Sequence, residues 1–99
     1  MSKRKKLDAR LKAILPNVYY QPPDKLMMKF PCIVYSRNRT IPFFADNAKY
    51  VRNETYRITV IDENPDSVYA DAVDQMVEAR WVNSFSTQGL HHFVFDIYI

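Results

Sequence analysis

Tyr56-Arg57-Ile58-Thr59-Val60-Ile61-Asp62 alternates apolar and mixed positions, Asn64-Pro65-Asp66 follows it, and His92-Phe93-Val94-Phe95-Asp96-Ile97-Tyr98-Ile99 returns as a second apolar run. Successive side chains on a strand point to opposite faces, so Tyr56, Ile58 and Val60 share one face and Arg57, Thr59 and Ile61 the other. Asn64 is a good N-cap, and Pro65 is suited to the first helical position, where its missing N–H costs nothing. The helix predicted from there carries Val68, Tyr69, Ala72, Val73, Met76 and Val77 on one stripe, with Asp71, Asp74, Gln75 and Glu78 opposite. An apolar stripe of this kind has to be covered by a sheet. A strand, a helix and a returning strand are therefore the nucleus of the fold.

The remaining elements are read outward from that nucleus. Leu7, Leu11, Ile14 and Leu15 recur at helical spacing on a segment whose other face is Lys and Arg, and Pro16 ends it. Val18-Tyr19-Tyr20 reads as a short strand stopped by Pro22-Pro23. The β-branched and aromatic stretch 30–37 reads as another strand. Residues 82–86 and 91–99 read as a hairpin around Gly89, the only glycine, because Gly takes a positive φ without steric cost. The long connection 39–53 holds Pro42, Phe43-Phe44 and the turn-prone pair Asp46-Asn47, with room for a short strand at 49–52. The expected fold is α+β, a single two-layer domain covering residues 1–99, with an antiparallel or mixed sheet of about four to five strands and two helices packed on it. Within it, residues 1–6 are expected to be a flexible basic arm, 7–15 a helix and 17–99 the sheet-plus-helix body.

Composition bounds the function. The 99 residues are 47% hydrophobic and 14% aromatic, as in a globular chain. No run is long and apolar enough to span a bilayer, and the basic start is followed by an amphipathic stretch where a secretory signal would be apolar. Cys32 is the only cysteine, so no internal disulfide and no cysteine-based zinc site can form, and a reducing cytoplasm fits. The formal net charge is +3, yet residues 1–12 hold six Lys/Arg against one Asp, a local +5, which leaves −2 for the remainder. Positive charge is concentrated at one end.

No set of residues in the sequence reads as catalytic. Asp62-Glu63-Asn64-Pro65-Asp66 has the start of a calcium-loop spacing but carries Ser67 where glycine is needed and Val73 where a bidentate Glu belongs. His91 and His92 are adjacent on a predicted strand and face opposite ways, which argues against one shared metal. Ser84 and Ser86 lack a nucleophile elbow, and one glycine cannot build a phosphate-cradling loop. Cys32 reads as a small core hydrophobe, and Asp71, Asp74 and Glu78 as a solvated helix face. The cluster Lys3, Arg4, Lys5, Lys6, Arg10 and Lys12 is the candidate for contact with nucleic acid or an acidic partner, although no aromatic stacking residue interrupts it.

Pro31-Cys32-Ile33-Val34-Tyr35, Ala45-Asp46-Asn47 with Tyr50, the run 56–62 with Pro65-Asp66-Ser67, and the apolar strand after His91-His92 together resemble the small tail-completion proteins of long-tailed bacteriophages. These are tail terminators, a group that includes minor tail and head–tail joining proteins. The resemblance covers residues 19–99. It implies a virion structural protein, not an enzyme, that forms a ring, commonly a hexamer, on the last ring of tail-tube subunits. Such a ring stops tube polymerisation and presents the surface that joins the head. The implied partners are copies of itself, the major tail tube protein, a head completion or connector protein, and DNA in the tail lumen. No membrane, small-molecule substrate or cofactor is implied. The implied location is the head-proximal end of the virion tail, with the host cytoplasm during assembly. The oligomer or tail-tube interface is expected at Met27, Met28, Phe43, Phe44, Asp46, Asn47, Tyr50 and Arg52. A neck connector, or a small nucleic-acid-binding module using the basic helix, are the alternatives.

Overall fold

The computed structural model describes residues 3–22, 28–38 and 55–98, and everything below concerns these. In chain order they form helix α1 (Lys3–Ile14), strands β1 (Val18–Tyr20), β2 (Cys32–Asn38) and β3 (Thr55–Asp62), helix α2 (Val68–Asp74), and strands β4 (Ala79–Thr87) and β5 (Leu90–Tyr98). The strands make one mixed sheet in the order β1-β2-β3-β5-β4. Only β1 and β2 run parallel, with Tyr19 opposite Val34, and the other three pairings are antiparallel. This is the α+β domain expected, a five-stranded sheet with two helices.

Register explains the core. Ile33 lies opposite Val60, Tyr35 opposite Ile58, and these continue into β5 as Phe93 and Phe95, so one sheet face carries an unbroken apolar row. Against it pack Leu7, Leu11 and Leu15 of the first helical segment and Ala70 and Val73 of α2, all buried together with Tyr56 and Ile97. Each large side chain so buried contributes about 1.5–3 kcal/mol relative to exposure. On the opposite face the register aligns Cys32 with Ile61, and these two and Val94 are also buried.

Two helix boundaries differ from expectation. Helix α1 begins at Lys3, not at residue 7, so residues 3–6 are helical and not a flexible arm. Within the added turn Arg4 is anchored on the sheet, its guanidinium 4.7 Å from the Tyr20 ring centroid and donating to the Tyr35 hydroxyl at 3.4 Å. Helix α2 begins at Val68 with Ser67 as its N-cap, whose Oγ accepts from the Ala70 N–H at 3.3 Å. Asn64 is occupied otherwise: its N–H donates to Asp62 Oδ1 at 3.1 Å while its own Oδ1 accepts from the Asp66 N–H at 2.9 Å. These successive side-chain turns hold residues 62–66 out of the helix. The expected stripe is broken at both ends of α2: Val73 is buried, but Val68, the first residue of the helix, is 67% and Val77, beyond its last, 97% exposed.

The hairpin forms around Gln88 and Gly89, both with positive φ (54° and 78°), as a two-residue primed turn requires. Its first strand, β4, is longer than expected and begins at Ala79, while β5 lies inside the sheet between β3 and β4. Among the described strands the edges are β1 and β4.

Candidate functional site

The six basic residues proposed for nucleic-acid or acidic-partner contact divide sharply. Arg4 turns onto Tyr20 and Tyr35, as above. Arg10 grips Glu78 with two hydrogen bonds, 2.6 and 3.1 Å, and Lys12 reaches Asp8 at 2.8 Å one helical turn back. Lys5 and Lys6 are exposed, and the side chain of Lys3 lies outside the described residues. Four of the six, Arg4, Lys5, Arg10 and Lys12, are thus engaged within the chain.

Beneath α1, the Tyr35 hydroxyl donates to Asp8 Oδ1 at 2.7 Å. Burial, reinforced by that acceptor, pushes the Tyr35 phenol up to about 12. Burial alone would raise the Asp8 carboxyl, but hydrogen bonds from Lys12 and Tyr35 outweigh it and hold the group below its ordinary value. Burial pushes the Cys32 thiol up to about 11, the behaviour of an inert core cysteine.

The proposed interface residues Met27, Phe43, Phe44, Asp46, Asn47, Tyr50 and Arg52 lie outside the described residues, and Met28 is half-buried. The structure instead draws attention to β4. All of its nine residues except Ala79 are exposed, including Trp81 at 54%, Phe85 at 50% and Val82 at 38%. A register shift between Trp81 and Asn83 sets Val82 apart as an irregularity in the ladder. Trp81 packs edge-on against Phe95 at 5.5 Å between ring centroids, and Phe85 stacks on His92 at 4.7 Å and 11°. Each ring is thereby anchored on one side and open on the other. The buried Nδ1 of His92 has no hydrogen-bond partner among the described residues. Natural edge strands are commonly blunted by Pro, Lys or an inward charge, and β4 has only Arg80 near its start, 5.9 Å from the Tyr98 ring.

Between α2 and β4 runs a cleft of about 290 Å³ whose lining includes Asp66, Asp71, Asp74, Trp81 and Phe93. No partner meets these three carboxylates among the described residues, whereas Asp8, Glu78 and Asp96 each face a cation. The sequence alone did not point to this surface: 82–86 reads as half of a hairpin, Asp71 and Asp74 as a solvated helix face, and Asp66 as part of the turn into the helix. The available signal was the polar-aromatic mixture of residues 80–87, which has no apolar alternation suited to covering a core.

Among the described residues no three His, Cys, Asp or Glu come together in a group suited to hold a metal ion, and no helix is long and apolar enough to cross a membrane. No protein-family model, curated protein or solved structure matches this chain.

Proposed function

We propose that this chain is a virion structural protein of the tail-terminator kind, assembling with copies of itself into a closed ring on the end of a tail tube. There it stops tube polymerisation and offers the head-joining surface. It acts through surfaces and not through catalysis. The observation that carries the reading is β4, a nine-residue edge strand with Trp81, Val82 and Phe85 open to solvent. An apolar edge left bare invites pairing with another chain, so a protein built this way is suited to assembly. The resemblance noted in residues 19–99 gives that assembly its identity.

Nucleic-acid binding through α1 is the weaker reading. Arg4, Arg10 and Lys12 already have partners inside the chain, which leaves little fixed charge for a phosphate backbone. Electron microscopy of tails assembled with and without this chain tests the proposal. Overlong or headless tails are expected when it is missing, and tails of normal length carrying heads would overturn it.

A further inference from the structure

The outer edge of β4 aims its backbone groups at solvent at fixed positions. The hairpin closes at Thr87 and Leu90 around a two-residue turn, and from there hydrogen-bonded pairs alternate with pairs that are not. Phe85 and Asn83, opposite His92 and Val94, therefore turn their N–H and C=O groups in to β5, while Ser84 and Ser86 turn theirs out. Among the described residues nothing bonds that outer row. The nine residues of β4 carry a single charge, Arg80, whose guanidinium lies 5.9 Å from the Tyr98 ring centroid. The other edge of the sheet offers far less. Strand β1 is three residues long and lies between Pro16 and Pro22, and the Val18 N–H already donates to the Pro16 carbonyl at 3.1 Å.

We infer that β4 pairs antiparallel with β4 of a second copy across a two-fold axis at Ser84, joining the two sheets edge to edge. The occupant follows from length, backbone register and charge. Among the described strands only another β4 offers an open edge of matching length, since β1 is too short. In such a ladder outward-facing residues have to meet outward-facing residues. With the axis at Ser84, that residue meets the partner's Ser84, and Val82, which the register shift leaves without an opposite residue on β5, meets the partner's Ser86. Phe85 lies across from the partner's Asn83, so both half-exposed Phe85 rings are covered, one on each side of the axis. Arg80 falls opposite the hairpin turn at the partner's Gln88, beyond the paired stretch, so no like charges meet in it. The contact is isologous: it uses up the edge in both copies and ends at a dimer. It stands independently of the tail reading and shields, in free chains, an edge that otherwise templates open-ended aggregation.

Sedimentation equilibrium of the full-length chain tests this, with circular dichroism as the check on folding. The wild-type chain is expected to form a dimer. Ser84→Pro removes an N–H that points away from β5, so the fold is expected to survive while dimerisation weakens by about tenfold or more. Ser84→Lys and Ser84→Glu each set like charges face to face on the axis and are expected to weaken dimerisation by a similar factor. An equal mixture of these two is expected to regain it as a mixed pair, and they carry the test if the proline variant fails to fold. A wild-type chain that is monomeric at every concentration overturns the pairing, and so does a dimer that all three variants retain. Loss in both charged variants with no recovery on mixing overturns the axis at Ser84. Each of these results leaves the tail reading to the microscopy of tails, which decides it separately.

Discussion

The hydroxyl of Tyr35, in the middle of β2, donates to Asp8 Oδ1 on α1 across 2.7 Å, tying the helix layer to the sheet through a polar contact beside the apolar core. Tyr35 is fully buried, so its hydroxyl has exchanged water for this carboxylate. A hydrogen bond to a charged group contributes about 1.5–3 kcal/mol. Tyr35→Phe keeps the ring and its packing against Tyr20 but removes that bond. The expected result in urea titration is a loss within this range at unchanged slope, and a double-mutant cycle with Asp8→Ala is expected to return most of it as coupling.

Acid stability follows from the same pair. The Asp8 carboxyl is held below its ordinary 3.8, and Glu78 below its ordinary 4.5 by the hydrogen bonds from Arg10. A depressed folded-state value means stability that is complete above the ordinary value and lost as pH falls through the folded one. Thermal midpoints are expected to hold steady down to about pH 5 and to drop progressively below pH 4. In Arg10→Gln the part of that drop belonging to Glu78 should shrink, since the Arg10 hydrogen bonds are the largest cause of its lowered value, and pH-dependent calorimetry measures it.

Cys32 offers a probe of the opposite limb. Its thiol is fully buried and pushed up to about 11, so the folded chain is expected to resist alkylation at pH 8 and to react once urea unfolds it. The raised values of Cys32 and Tyr35 mean that the unfolded chain releases these protons first as pH climbs past 9.0 and 10.0. Stability is therefore expected to fall between those values and about 11 and 12, with the acceleration of thiol labelling reporting it.

Lysine on the bare edge separates assembly from folding. Phe85 is half exposed and sits on β4 above His92, outside the apolar core. Phe85→Lys places a charge where a neighbouring chain would have to desolvate it. The monomer is expected to keep its fold and lose little stability, within about 1 kcal/mol, while self-association on tail tubes drops steeply in co-sedimentation.

The elements that could be read from the chain alone are those with local signals. The period-2 run 56–62 and the turn at Gly89 specify β3 and the hairpin almost without reference to the rest of the molecule. The parallel pairing of β1 with β2 had no such signal, because it joins residues about fifteen positions apart through backbone contacts that any apolar triplet could make. The first turn of α1 is held on the sheet by the contact of Arg4 with Tyr35, 31 residues away, and periodicity cannot anticipate that. At α2 two good caps competed, and Ser67 prevailed because Asn64 was drawn into the turn that Asp62 begins. The candidate surface was hidden for a related reason: exposure of Trp81 and Phe85 is decided by strand order, which places β4 at the rim.

Strand order also sets the timing of folding on the ribosome. Translation delivers β4 before β5, yet β5 is the strand that lies between β3 and β4. Until residues 90–98 emerge, β4 has no neighbour and the β5-facing side of β3 stays open, with Ile58 and Val60 lacking the Phe95 and Phe93 that complete their row. The nascent chain therefore carries the open edge of β3 from residue 62, joined by that of β4 from residue 87, until the insertion of β5 closes both. Chaperones that shield bare strands have their window on this protein before that insertion.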